Sequence, residues 1–288
     1  MIIGSITKLI NKLKSFNKYP WDSPKNFTKL NILNEFSNFK PHGNNDYNAF
    51  VPLVIKNINE VIPALSQIAQ FNKQTEIISY KQFFENNLNE NSEIILEKLK
   101  NNFNIRGSDK VANNYHFLYS CIFSELDSDY KILEVGLGTN NPEIVSSMGL
   151  NGKPGASIRA FRDTFSKAYV FGADVDEKIL FKEDRINTFF VDQNDLSSFN
   201  NITKAIKGEF DLIIDDGLHY QLSNLNTLIF ALSNLSNNGY LVIEDIGIWT
   251  IETWKIVEKI LPKNFQSTIV SMTENNFVFT IKKIDSFQ

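Results

Sequence analysis

The sequence predicts an α/β fold, with five parallel strands finished by an antiparallel hairpin and a mainly helical region in front. Three observations carry this. Apolar runs alternate with helical patterns from about residue 130 onward, the runs end in acids or glycines, and only the turn Thr273-Glu274-Asn275-Asn276 separates the last two. Strands that are apolar throughout are buried on both faces. Strand–helix alternation demands a parallel sheet covered by helices. A short turn forces an antiparallel pair, because a parallel crossover needs about a dozen residues or more.

The chain has 288 residues, 42% of them hydrophobic and 24 of them Phe, which is enough core for an ordinary domain with an N-terminal appendage. The expected division is 1–104, mainly helical, and 105–288, the sheet domain. Residues 2–16 place Ile2, Ile3, Ile6, Leu9, Ile10, Leu13 and Phe16 at helical spacing with lysines opposite. Such an amphipathic helix packs on its own domain or on a second subunit, so a homo-oligomer is expected. From 17 to 50, Pro20, Pro24, Pro41 and Gly43 predict irregular structure. Residues 63–71 and 80–103 read as helices, the second interrupted at 86–92. A new unit begins at Gly107-Ser108-Asp109-Lys110, and a helix containing Tyr115, Leu118 and Phe123 leads to the first strand at 130–136. Further strands are expected at 168–174, 187–192, 209–215, 239–245, 267–272 and 276–283, with helices at 157–165, 196–206, 222–235 and 250–261.

A net charge of −4 speaks against a nucleic-acid partner. Cys121 is the only cysteine, so no internal disulfide or cysteine-based zinc site can form, and a reducing cytoplasm is the expected location. No segment approaches the roughly 20 apolar residues that span a bilayer. Lys8, Lys12 and Lys14 interrupt any signal-like opening.

In open parallel sheets the ligand sits where the carboxyl ends of the strands meet the following loops. There the sequence places Glu134-Val135-Gly136-Leu137-Gly138, then Gly172-Ala173-Asp174-Val175-Asp176, Asp215-Asp216-Gly217-Leu218-His219 and Val242-Ile243-Glu244-Asp245-Ile246. Gly136 and Gly138 let backbone approach a nucleoside. Asn141 stands where a dinucleotide fingerprint has its third glycine. Asp174 would bind ribose, with Asp176 competing; Asp192, or Gln193 beside it, stands where an adenine amino group is expected. The loop from 139 to 156 is long, as functional loops are. Ser157 and Arg159 after it would hold a ligand carboxylate, and Arg162 has a plain surface role. Asp215, Asp216, Glu244 and Asp245 end the fourth and fifth strands, where like charges repel unless a cation lies among them. Oxygen ligands favour magnesium, calcium or manganese. His219 looks into the same pocket and suits general-base work near neutral pH. His116 is assigned to packing, and His42 has no role.

Those motifs, with Gly155-Ala156-Ser157-Ile158-Arg159-Ala160-Phe161-Arg162 and Asn114-Tyr115-His116, resemble the metal-dependent S-adenosylmethionine O-methyltransferases of macrolide deoxysugars (macrocin and mycinamicin type) and related surface-glycan enzymes. The likeness covers about residues 105–260. It implies a class I methyltransferase, Rossmann-like sheet. It also implies an S-adenosylmethionine site that includes Glu134 and Asp215, magnesium held by Asp216, Glu244 and Asp245, and His219 as base beside Asp216. The expected acceptor is a hydroxyl of a sugar or sugar nucleotide, in surface-polysaccharide or natural-product biosynthesis. A capsular phosphoramidate or another small metabolite, an NAD-dependent oxidoreductase and a catalytically silent assembly protein are the competing readings.

Overall fold

The computed structural model describes residues 36–39, 47–71 and 73–284. The stripe at 2–16 and most of the 17–50 segment lie outside them. The chain divides into two compact units, Met1–Lys73 and Gln74–Gln288.

In the first unit a 3-10 turn, Ser37–Phe39, accompanies helix α1, Tyr47–Ala69. The helix thus starts well before residue 63 and contains both Pro52 and Pro63. Val51 and Val54 are buried against Phe39, Ile55 and Ile58, and Asn57 Nδ2 donates to the Phe39 carbonyl at 2.9 Å. Apolar packing at helical spacing overrides two prolines here.

The second unit runs β1 (Ile77–Ser79), α2 (Tyr80–Asn86), α3 (Ser92–Arg106), α4 (Tyr115–Ile122), β2 (Lys131–Val135), α5 (Ala156–Thr164), β3 (Tyr169–Asp174), β4 (Lys182–Glu183), β5 (Ile186–Phe190), α6 (Asn200–Ala205), β6 (Phe210–Asp215), α7 (Gln221–Asn234), β7 (Leu235–Gly247), α8 (Ile251–Ile260), β8 (Phe265–Ser271) and β9 (Asn276–Lys283). One sheet takes them in the order β1-β8-β9-β7-β6-β2-β3-β5-β4. The five expected parallel strands are β2, β3, β5, β6 and β7, and β9 runs antiparallel between β7 and β8. Strands β1 and β4 were not expected, being too short for a periodicity to show. The division also falls earlier than 104. Strand β1 pairs in parallel with β8, and Ile95, Leu99 and Phe103 place one face of α3 in the same core as Phe161 of α5.

Alternation along the strands feeds two cores. Ile132, Val170, Leu212, Ile214 and Val242 enter one, beneath α2 to α5; Leu133, Phe171, Ile213, Leu241 and Ile243 enter the other, with Phe199, Phe230 and Trp254. Each such side chain contributes about 1.5–3 kcal/mol by burial. The same alternation directs Glu134 and Glu244 into the first core, where a charge needs a partner. Among the described residues no helix is long and apolar enough to cross a membrane.

Candidate active site

The glycine loop after β2 is braced by the neighbouring strands. Gly136 N–H donates to the Ala173 carbonyl and Asp216 N–H to the Val135 carbonyl, both at 2.8 Å. Gly136 has φ +98°, and a Cβ there would lie 2.1 Å from the Asp216 carbonyl oxygen. The motif's first glycine is therefore required by the crossing of two loops, whatever ligand it also serves. The long loop folds back on itself, Met148 N–H donating to Thr139 O at 2.9 Å and Gly155 N–H to Leu137 O at 2.8 Å. This brings Ser146, Met148 and Lys153 to a cleft of about 340 Å³, which is also lined by Gly136, Gly138 and Ser157 and by Asp216, His219 and Asp245.

Strand β7 decides which acids reach that cleft. Ile243 pairs with Phe279 and Ile246 with Phe277, so Glu244 and Asp245 together face the single residue Val278, a β-bulge. Asp245 adopts φ +54°. Its Oδ1 accepts from Tyr115 Oη and from Asn276 Nδ2, each at 2.6 Å, and its Oδ2 lies 3.9 Å from His219 Nε2. His219 has φ +52° and Ser146 φ +63°. Half of the six non-glycine residues described with positive φ thus line this one cleft, and strain of that kind gathers where function holds it in place. One donor atom each from Asp216, His219 and Asp245 lies within 4.8 Å of the others. The two carboxylates are fitting donors for a hard divalent cation that keeps several waters, and the His219 imidazole stands beside them.

Glu244 is not in that group. It is 1% exposed, accepts from Tyr119 Oη, and lies 2.7 Å from Lys110 Nζ. The same ammonium reaches Glu134 at 3.0 Å and Asp216 at 2.9 Å. Lys110 is the residue that sequence reasoning missed. The acid cluster does require a cation, and for Glu134, Asp216 and Glu244 a lysine side chain is that cation. Burial opposes the Lys110 charge, but Asp216, Glu134 and Glu244 outweigh it and raise its pKa. Burial likewise pushes both glutamates above the usual carboxylate range despite Lys110. Its place in the 107–110 motif was the only sequence signal, and in a chain so rich in lysine nothing local marks it out.

The other expected site residues fall into two groups. Asp174 Oδ2 accepts from Leu137 N–H and its Oδ1 from Asp176 N–H, both at 2.8 Å. Asp176 accepts from Thr139 Oγ1 at 2.6 Å. Both acids tie the glycine loop to the end of β3, and burial raises the Asp174 pKa. Ser157 donates to Glu134. Asp192 Oδ1 accepts from Asn194 N–H at 2.9 Å.

Four residues are placed otherwise than their expected roles require. Gln193 donates to Asp215 at 2.8 Å and to Thr227 at 3.1 Å and accepts from Leu218 N–H at 2.8 Å, so its amide is occupied and Asp192 is the better placed of the pair. Asp215 is fully buried on the opposite sheet face, where Asn224 also donates to it at 3.1 Å, and burial raises its pKa. Arg159 is clamped on Glu183 at 2.7 Å and on the Pro154 carbonyl at 2.8 Å, with its guanidinium 3.9 Å from the Phe181 ring centre. Glu244, through Lys110, is the fourth. His116 is buried against Phe117, which lowers its pKa, and His42 lies outside the described residues.

No family model matches the chain. It is 28% identical over 142 residues to the 8-demethyl-8-alpha-L-rhamnosyl tetracenomycin-C 2'-O-methyltransferase of Streptomyces olivaceus, covering 49% of this chain and 35% of that protein. It is 32% identical over 126 residues to the demethylmacrocin O-methyltransferase of Streptomyces fradiae, covering 43% and 29%. Its sequence relatives are deoxysugar O-methyltransferases. The matched stretch spans only about a third of the length of these methyltransferases. Among solved structures, the MycE methyltransferase from the mycinamycin biosynthetic pathway, in complex with Mg and SAH, superposes with a TM-score of 0.51 at 21% identity, covering 66% of this chain and 56% of that one. The fold is the class I methyltransferase, Rossmann-like one.

Proposed function

We propose that the chain is an S-adenosylmethionine-dependent O-methyltransferase acting on a hydroxyl of a sugar or sugar nucleotide with the aid of magnesium or another hard divalent cation. The observation that carries this reading is one cleft bordered at one side by Gly136 and Gly138 and at the other by Asp216, His219 and Asp245. Relatives that O-methylate a rhamnosyl tetracenomycin-C and mycinamicin VI support the reading. On this reading Asp174 or Asp176 binds ribose, Asp192 the adenine, and Asp216 with Asp245 the cation. The site belongs to a cytoplasmic enzyme with a small-molecule acceptor and no nucleic-acid partner, in surface-polysaccharide or natural-product biosynthesis. Residues 1–104 serve acceptor binding or homo-oligomerisation.

A sugar hydroxyl is a poor nucleophile at neutral pH. A divalent cation at Asp216 and Asp245 would lower the pKa of a hydroxyl bound to it. His219 takes the hydroxyl proton as the oxygen–carbon bond forms and the carbon–sulfur bond breaks, its electron pair leaving on sulfur. Lys110 and Tyr115 hold the two carboxylates in position. The sulfonium is already activated, so the remaining task is alignment and exclusion of water.

Calorimetric titration with S-adenosylhomocysteine, with magnesium and again with a chelator, tests the reading, with NAD as the control. Binding of the nucleoside and not of NAD is expected; binding of NAD, or of neither, overturns it. His219→Ala should lose turnover by about 10²–10⁴-fold with S-adenosylhomocysteine and cation affinity retained. Near-normal turnover removes His219 from the mechanism.

A further inference from the structure

A second cleft, of about 250 Å³, meets the first at His219 and Asp245. Its other walls include Gln221, Gly247, Trp249, Thr250 and Asn276. The glycine loop borders only the first cleft, so the shared His–Asp pair is approached from two sides. Building on the methyltransferase reading, we propose that the second cleft seats the reacting sugar of the acceptor, with the Trp249 indole as the surface on which its ring stacks.

Three features support this. Trp249 is 83% exposed, an unusual state for a side chain that is mostly buried in folded proteins. It is nevertheless positioned. A Cβ on Gly247 would come within 2.8 Å of the indole carbons, so the ring lies close over Gly247, an approach that a side chain there would obstruct. The electron-rich face of an indole attracts polarised C–H groups, and a pyranose ring presents several on one side.

The polar lining fits hydroxyls. Asn276 Nδ2 is committed to Asp245 at 2.6 Å and to Tyr115 Oη at 3.2 Å. Its Oδ1 is buried with no hydrogen-bond partner among the described residues. Gln221 donates to Thr253 Oγ1 at 3.0 Å, which fixes its amide at the edge of the cleft.

The charge pattern narrows the ligand further. Among the described residues no lysine or arginine lines this cleft, and Asp245 is its one acid. Beyond the divalent cation proposed at Asp216 and Asp245, this lining offers nothing to offset the charge of a phosphate. The group seated is therefore the neutral, hydroxylated ring, and any phosphate or aglycone the acceptor carries lies outside it.

The test uses the full chain saturated with S-adenosylhomocysteine and magnesium. Neutral methyl glycosides (rhamnoside, glucoside, galactoside and mannoside) are titrated and followed by ligand-observed saturation-transfer NMR, for wild type, Trp249→Ala and Trp249→Phe. Saturable binding of at least one glycoside by wild type is expected. Affinity should fall by about tenfold in Trp249→Ala and be largely kept in Trp249→Phe, with S-adenosylhomocysteine affinity the same in all three. Glycoside binding unchanged in Trp249→Ala, or no glycoside bound by nucleoside-saturated wild type, overturns the assignment. A joint loss of nucleoside and glycoside binding in Trp249→Ala means that the indole is structural and also overturns it. Failure of wild type to bind S-adenosylhomocysteine is a different result, because it removes the methyltransferase reading itself.

Discussion

Asp216→Asn should lose divalent-cation binding by at least about a hundredfold, while S-adenosylhomocysteine affinity stays within about threefold of wild type. The side chain bridges two environments. One oxygen meets the buried Lys110 ammonium at 2.9 Å, and the residue contributes a donor atom to the group formed with His219 and Asp245. A neutral amide is a far weaker ligand for a hard cation than a carboxylate. The nucleoside side of the cleft, at Gly136 and Gly138, is untouched by the change. Stability should move little, because Lys110 keeps Glu134 and Glu244 as partners when Asp216 becomes neutral. Manganese titration followed by electron paramagnetic resonance, beside nucleoside calorimetry and a thermal melt, reads all three quantities. Unchanged cation affinity would make Asp216 only a partner of Lys110.

Lys110→Met should cost about 3–5 kcal/mol of stability at neutral pH, since it leaves buried carboxylates without their countercharge. Glu134 is 0% and Glu244 1% exposed, so neither can turn to water. That loss is a large part of the roughly 5–15 kcal/mol that holds a domain folded. Its pH dependence has a definite sign. Burial already holds the pKa of both glutamates above the unfolded value, and removing Lys110 raises them further. The folded variant then binds protons that the unfolded chain does not, so it gains stability as pH falls toward the ordinary glutamate value of about 4.3. Wild type has the lysine charge and gains less over that window. Urea denaturation at neutral pH and near pH 5 should show the deficit shrinking at the lower pH. A deficit that is below about 1 kcal/mol or independent of pH would show that the ammonium does not neutralise this cluster.

The fold was largely legible in the sequence because its signals are local. Runs such as Leu212 to Ile214 and Leu241 to Ile243 are apolar on both faces, and the Thr273 to Asn276 turn is too short for anything but a hairpin. The edge strands Ile77–Ser79 and Lys182–Glu183 were not legible, since two or three residues carry no period. Helix Tyr47–Ala69 was only partly so, since prolines argue against a helix and packing outweighs them.

By itself the sequence determined the parallel sheet, the glycine loop at its carboxyl edge and the presence of acids and His219 at adjacent strand ends. Each of these follows from periodicity or from the identity of a residue at a strand terminus. Only the tertiary structure decided which partners each acid has. The pleat of β7 sends Glu244 into the core, and the bulge there leaves Asp245 beside His219. Lys110, 106 residues from Asp216 and 134 from Glu244 in the chain, pairs with both acids and with Glu134. Arg159 meets Glu183, and Gln193 meets Asp215. The reason is physical: a strand's pattern reports which face is buried, whereas the partner of a buried charge is set by packing between segments far apart in sequence.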